Sequence, residues 1–281
     1  SKHIVVIDGL DEMLTVRRDQ FRALGALLNE LLAVNQDFRR SGVPIKIVLL
    51  CRTDLFEIIE CANKNKIRQD YSFVIDWYHD PKEPDRSFLI SAVNSRARLS
   101  FGRAIDIFEE IMPKKIEGDV TRDYILDYTR HTPRDMLQLF RSIQSMCDKN
   151  KGASRPSERE ILSGIRAYSL NYFLPEVKDE LVGYAQPDEI NELFQLLGRL
   201  RRRDFYFKDL IKFAVDSSST LGEDGIFKML RVLFNCSAIG NVQRSGSQRF
   251  YTFKYRNPNS SLNKEDGIML HKGLWKALNA V

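Results

Sequence analysis

The sequence is poor in the features that mark secreted and membrane proteins. Its 281 residues hold four cysteines, Cys51, Cys61, Cys147 and Cys236, far apart and with no CxxC pair. That spacing argues against a disulfide framework or a zinc site and fits a reducing cytoplasm. No apolar run approaches the ~20 residues that a membrane span needs. Lys2-His3 leads into a short strand, not into the apolar core of a signal peptide. Internal repeats and low-complexity tracts are missing, so nothing argues for a repeat array. A strong excess of one charge is missing too: 43 Lys and Arg against 38 Asp and Glu leave a net charge of +5. That balance permits nucleic acid as a partner without indicating it. What is present is an ordinary globular composition, 43% hydrophobic and 29% charged, over a length that suits two or three domains.

Hydrophobic patterning gives the organisation. Ile4-Val5-Val6-Ile7 reads as a fully buried strand ended by Asp8-Gly9. Residues 15–40 carry Phe21, Leu24, Leu28 and Leu31 at helical spacing, and Ser41-Gly42-Val43-Pro44 stops the helix. Residues 45–50 form a second buried strand, 55–62 a short helix and 71–77 a third strand. This alternation is the βαβ rhythm of a parallel sheet. Beyond residue 80 the pattern turns helical, with helices expected at 86–99, 103–112, 121–130 and 133–148. A polar stretch over 148–160 reads as a linker, and helices at about 158–183 follow it. Three helix-like segments (188–200, 206–215, 223–235) then precede a hairpin with a Gly-Ser turn at 245–247, the order of a winged helix. A short helix is expected at about 270–279. The expected divisions are therefore 1–80, 81–150, 151–187 and 188–281.

One motif carries chemistry. A carboxylate at the carboxyl end of a buried parallel strand sits where α/β sheets bind ligands. The run Ile4–Glu12, "IVVIDGLDE", resembles the Walker B motif of STAND-class ATPases, signalling relatives of AAA+ proteins that include the NACHT group. The resemblance implies ATP or ADP with magnesium as cofactors. Asp8 would bind the magnesium. Asp11 would position or activate the attacking water, with Glu12 as its substitute. The alternative is a plain strand-to-turn junction, since Asp-Gly is a common turn pair.

Three further stretches extend the resemblance. Arg52 ends the second strand in "IVLLCRTDLF", similar to the sensor 1 arginine that reads a γ-phosphate; the structural alternative is a pair with Asp8 or Asp54. Thr132-Pro133 can start a helix, with Thr132 as N-cap and Pro133 in the first turn. Arg134 then projects as the sensor 2 arginine of a helical lid would, or pairs with Asp135 or Asp127 on a solvated face. Residues 267–278, "GIMLHKGLWKAL", resemble the MHD-type segment whose histidine contacts ADP. His271 would be that residue, or a helix-start residue packed beside Trp275.

A Walker A loop, GxxxxGK[ST], is absent: no Gly-Lys followed by Ser or Thr occurs anywhere. The resemblance therefore covers only the portion from Walker B onward, and the chain reads as a fragment. In the family order 5-1-4-3-2, residues 4–7 can still pair with 45–50, while 71–77 loses its neighbour. The expected fold is thus α/β with a partial P-loop parallel sheet, followed by an α-helical lid and a C-terminal winged-helix domain. The implied function is a nucleotide-dependent switch, forming a homo-oligomer when complete, of the kind bacteria use in signalling or defence against phage. Two alternatives stand beside it. One is a DNA-binding ATPase of replication, repair or transposition, with Arg201, Arg202, Arg203, Arg244, Arg249 and Lys254 on phosphates. The other is a non-catalytic adaptor that retains an ATPase fold.

Overall fold

β-branched side chains favour extended backbone, and Ile4, Val5 and Val6 form β1 (His3–Ile7). The strand pairs in parallel with β2 (Ile45–Leu49), Ile7 opposite Leu49. The crossover between them includes the amphipathic helix α1 (Arg18–Arg40). This is a computed structural model, and it describes residues 2–10, 18–78, 80, 87–147, 155–246 and 248–280. Asn35 on α1 acts as a substitute strand on β2: its amide donates to Ile47 O at 2.9 Å and its Oδ1 accepts Ile47 N–H at 2.8 Å. α2 (Thr53–Ile58) and α3 (Lys64–Tyr71) complete a first compact unit, Ser1–Ile75, around a small core of Leu10, Leu28, Leu55 and Ile59.

Two expectations fail in this unit. β1 is not buried: Ile4 is 68% and Val6 56% exposed. Residues 71–77 do not form a third strand. Tyr71 ends α3, residues 72–78 carry no strand pairing, and Phe73 is 87% exposed. The reason is a missing neighbour. A strand exists only through its hydrogen-bonded ladder, and among the described residues this sheet has two strands.

The second unit, Asp76–Val281, is larger. It opens with α4 (Phe88–Phe101), capped by Ser87, whose Oγ accepts Ile90 N–H at 3.2 Å. The expected helix at 103–112 is reduced to one π-helical turn, Ile107–Ile111. A two-residue ladder, β3 (Lys115–Ile116) with β4 (Asp119–Val120), leads into α5 (Thr121–Leu126) and α6 (Pro133–Met146). Next comes a continuous rod of α7 (Glu158–Tyr168), a π turn at Ser169–Phe173 and α8 (Leu174–Asp179). Proline has no N–H to donate and crowds the carbonyl four residues back. Placing the wide turn just before Pro175 lets the rod continue past it.

The C-terminal part holds α9 (Pro187–Leu200), α10 (Phe207–Asp216) and α11 (Glu223–Asn235). An antiparallel sheet joins them, built from β5 (Asp204–Tyr206), β6 (Ile239–Ser245), β7 (Gln248–Thr252) and β8 (Gly267–Leu270) in the order β5-β8-β6-β7. The final helix is one turn, α12 (Lys272–Trp275), shorter than expected: β8 takes Leu270 and residues 276–279 continue as turns. One continuous core runs from Leu89 to Ala280, so the pieces read as 81–150, 151–187 and 188–281 share an interior. Overall the chain is mixed α/β.

A close backbone approach in that core joins α6 to α7. A Cβ on Gly164 would lie 2.5 Å from Ile143 Cα. Alanine gains about 1 kcal/mol of helix propensity over glycine, but backbone atoms cannot yield as a side chain can, and overpacking costs about 1–3 kcal/mol. Gly164→Ala should therefore lower stability in urea melts at unchanged m value. A rise in stability would rule out the close approach.

Candidate functional site

Asp8 and Arg52, the two residues of the first unit singled out from the sequence, follow paired strands of one sheet. Leu50 N–H donates to Ile7 O at 2.9 Å, so β1 and β2 stay joined up to the residue before Asp8. Asp8 and Arg52 follow at the carboxyl ends of these parallel strands, both exposed. Asp8 Oδ1 accepts Gly9 N–H at 2.7 Å. Gly9 has φ 78°, a turn conformation that suits glycine. Arg52 is the extended residue directly before α2. Asp11 and Glu12, the expected catalytic carboxylates, lie outside the described residues. Among the described residues no group of three His, Cys, Asp or Glu could hold a metal. Magnesium asks for less: it binds through one or two carboxylates with water and phosphate oxygens filling the rest. An exposed Asp8 fits that requirement.

The second unit holds a denser polar site, most of which sequence reasoning missed. Arg130 and Asp135 form a buried bidentate pair. Arg130 Nε donates to Asp135 Oδ2 at 3.0 Å and Nη2 to Oδ1 at 2.9 Å. The Arg130 backbone N–H also donates to Oδ2 at 2.9 Å, and the Tyr172 hydroxyl to Oδ1 at 3.1 Å. Burial alone would raise the Asp135 pKa, but the guanidinium outweighs it and holds the carboxyl below its usual range. For Arg130 burial works against the charge, and Asp135 restores it, so the arginine pKa ends above normal. The Arg130 guanidinium also lies over the Phe173 ring at 5.2 Å. Thr132 caps α6 as expected, accepting Asp135 N–H at 3.1 Å. Arg134 projects from the first turn, 74% exposed, with Nη1 at 3.4 Å from Glu176 Oε1. Its carboxylate partner is thus Glu176, neither Asp135 nor Asp127.

His271 is a core residue. Its side chain caps α12: Nδ1 accepts Gly273 N–H at 3.1 Å. The ring proton is therefore assigned to Nε2, which donates to Thr129 O at 3.1 Å. The ring stacks on Phe173 at 5.0 Å and meets Phe253 edge-on. Both nitrogens are occupied and the residue is 1% exposed, so no phosphate can reach it without local opening. The expected helix-start position holds, and the rings of Phe173, Phe253 and Tyr255 surround the imidazole; Gly273 admits the Phe173 ring, since a Cβ there would lie 2.8 Å from it. Nearby, Ser169 Oγ donates to Gly273 O at 2.5 Å and accepts Ala277 N–H at 3.0 Å, and Lys272 pairs with Asp127.

The candidate DNA contacts are largely used within the chain. Arg244 and Arg249 face each other across the β6–β7 hairpin and reach one carboxylate, Asp204, at 3.7 and 3.1 Å. Arg203 lies over Trp275 at 4.3 Å, and Lys254 donates to Ser260 O at 2.8 Å. Arg202 stands 4.0 Å from Asp209, and Arg201 is the left-handed C-cap of α9. In α11, Ile226, Met229, Leu230 and Leu233 are buried, leaving Lys228 and Arg231 exposed.

Two outcomes test this site. Asp135→Asn removes the bidentate partner of a buried guanidinium, leaving it only the looser contacts to Glu176 and Glu180 at 4.0 and 3.9 Å, and should cost about 3 kcal/mol in denaturant melts. Burial holds His271 neutral by lowering its pKa from 6.5 to about 3. The unfolded chain then binds the extra proton between those values, so stability is full above pH 6.5 and falls as pH drops below it. From pH 7 to pH 5 the wild-type chain should lose about 2 kcal/mol more than His271→Gln. Equal losses would mean that the imidazole is not buried neutral.

Residues 87–174 match the model of the FunZ-associated C-terminal helical domain. They span α4 to the end of the π turn. No curated protein and no solved structure matches the chain.

Proposed function

We propose that this chain is the portion of a STAND/AAA+-like ATPase from Walker B onward, acting in a nucleotide-dependent switch. The observation that carries the reading is the position of Asp8 and Arg52, each just beyond the carboxyl end of one of two paired parallel strands. Exposed apolar residues on β1 support it, because parallel sheets are normally covered on both faces. In this reading Asp8 holds magnesium through water and Arg52 reads the terminal phosphate. Asp11 orients the attacking water, with Glu12 as its substitute. ATP with magnesium supplies the transferable phosphoryl group when bound. Arg134, exposed at the start of α6, is a second phosphate-reading group. His271 keeps a structural role beside the loop before α6. The three helices and antiparallel sheet at the C-terminus are read as a winged helix that packs within the chain. The match of residues 87–174 to a domain described as C-terminal and helical agrees with a helical part that follows another domain. DNA binding is the weaker reading, since most of the cations proposed for it have partners of their own.

The 281 residues contain no phosphate-cradling GK[ST] loop, and backbone N–H groups of such a loop do most of the phosphate binding. The purified chain should therefore bind ATP weakly and release no phosphate with magnesium present. Magnesium-dependent turnover by this chain would overturn that part of the proposal. If the source reading frame continues upstream through a strand and a GxxxxGK[ST] loop, the longer protein should hydrolyse ATP and lose turnover on Asp8→Asn. Unchanged turnover in that variant would remove the ATPase assignment of this site.

A further inference from the structure

Residues 129–135 form one of the most heavily constrained stretches in the second unit. Thr129 O is held by His271, Arg130 by Asp135, and Thr132 by its cap on α6. Between them His131 adopts φ 53°, left-handed backbone that only a few per cent of non-glycine residues adopt, and it is 6% exposed. Such strain persists only where the surroundings over-determine it, and it gathers at functional places. The surroundings here are aromatic. The His131 ring packs against both Tyr78 (centroids 5.0 Å, planes 19° apart) and Tyr255 (4.9 Å, 17°), whose own rings are 6.1 Å apart, so the three form a triangular cluster. Tyr255 in turn stacks on Phe253 at 5.6 Å, and its backbone N–H donates to Ser237 Oγ at 3.0 Å. Tyr78 is fixed next to Trp77, which packs against the main core, and its N–H donates to Asp76 Oδ1 at 2.8 Å. The stack thus gathers three remote stretches of chain around one strained residue. Three residues on, Arg134 is the exposed cation of an otherwise pinned segment, with Glu176 as its counter-ion.

We propose that His131, packed in one aromatic cluster with Tyr78 and Tyr255, is a positioning residue for Arg134: the cluster fixes the backbone from which that guanidinium meets a phosphate-type anion. The inference rests on the reading of Arg134 as a phosphate-reading group. The stack supplies what a single surface arginine lacks, a backbone that does not give way when the Glu176 pair is exchanged for a ligand. The Arg130–Asp135 pair leaves Glu176 with a second cation nearby, at 4.0 Å from Arg130, so departure of Arg134 does not strand it.

The test uses the whole chain, with inorganic pyrophosphate as the probe. Backbone hydrogen exchange is followed over 129–134, and the Arg134 Nε–H resonance, identified by its loss in Arg134→Lys, is titrated. Tyr78→Ala should speed exchange of the loop at least tenfold, leave the interiors of α6 and α7 unchanged, and weaken pyrophosphate binding at Arg134 several-fold. Tyr78→Phe should behave as wild type. His131→Asn, which tolerates positive φ but has no aromatic ring, should behave as Tyr78→Ala. A lowered melting temperature in Tyr78→Ala with unchanged loop exchange and unchanged pyrophosphate affinity overturns the proposal. If the loop loosens as expected but pyrophosphate never shifts the Arg134 resonance, the positioning role stands and the phosphate reading of Arg134 falls.

Discussion

The second unit depends on the buried pair of Arg130 and Asp135. Neither charge is tolerable alone in that interior, since an uncompensated buried ion costs several kcal/mol. Together they satisfy one another and fix geometry around them. Asp135 also receives the Arg130 backbone N–H and the Tyr172 hydroxyl, so one carboxylate ties the loop before α6 to the α7–α8 rod. Arg130 carries the tie onward through Phe173 and the carboxylates of Glu176 and Glu180. His271 then joins the same loop to the C-terminal sheet through Thr129. The helical part and the C-terminal part share one core because their polar groups, as well as their apolar faces, are completed by each other.

The first unit is governed by the opposite condition, incompleteness. A two-stranded parallel sheet has few hydrogen bonds and two faces to cover. α1 covers part of it and Asn35 occupies one point on the β2 edge, but Ile4, Val5 and Val6 stay exposed. The same shortage accounts for residues 72–75, apolar enough for a strand yet unpaired. Asp8 and Arg52 keep their place at the carboxyl edge regardless, since the β1–β2 register alone fixes it.

Much of the framework was legible in advance. α9 and α11 were read within a residue of their bounds, and the β6–β7 hairpin was located by its Gly-Ser turn, because local periodicity and capping suffice there. The pairing of residues 4–7 with 45–49 was legible through the family resemblance, and Thr132 and Pro133 announced the start of α6. The polar site was not legible. Arg130 and Asp135 lie five residues apart on opposite sides of a helix start, and Asp135 looked like a surface partner for Arg134. Tyr78 follows the segment read as a strand and Tyr255 lies in the hairpin region; nothing local says that both pack against His131.

The sequence by itself determined where helices such as α6, α9 and α11 begin, the Thr132 cap, and that Asp8 and Arg52 follow segments of strand-like patterning. These follow from contacts within a few residues or from strand periodicity. Only the tertiary structure decided burial and partnership: that β1 is uncovered, that residues 72–78 are not a strand, that β8 precedes α12, and that His271 is a neutral core residue. Each of those outcomes turns on desolvation or pairing by groups remote in sequence, and a linear pattern carries no record of which remote group arrives.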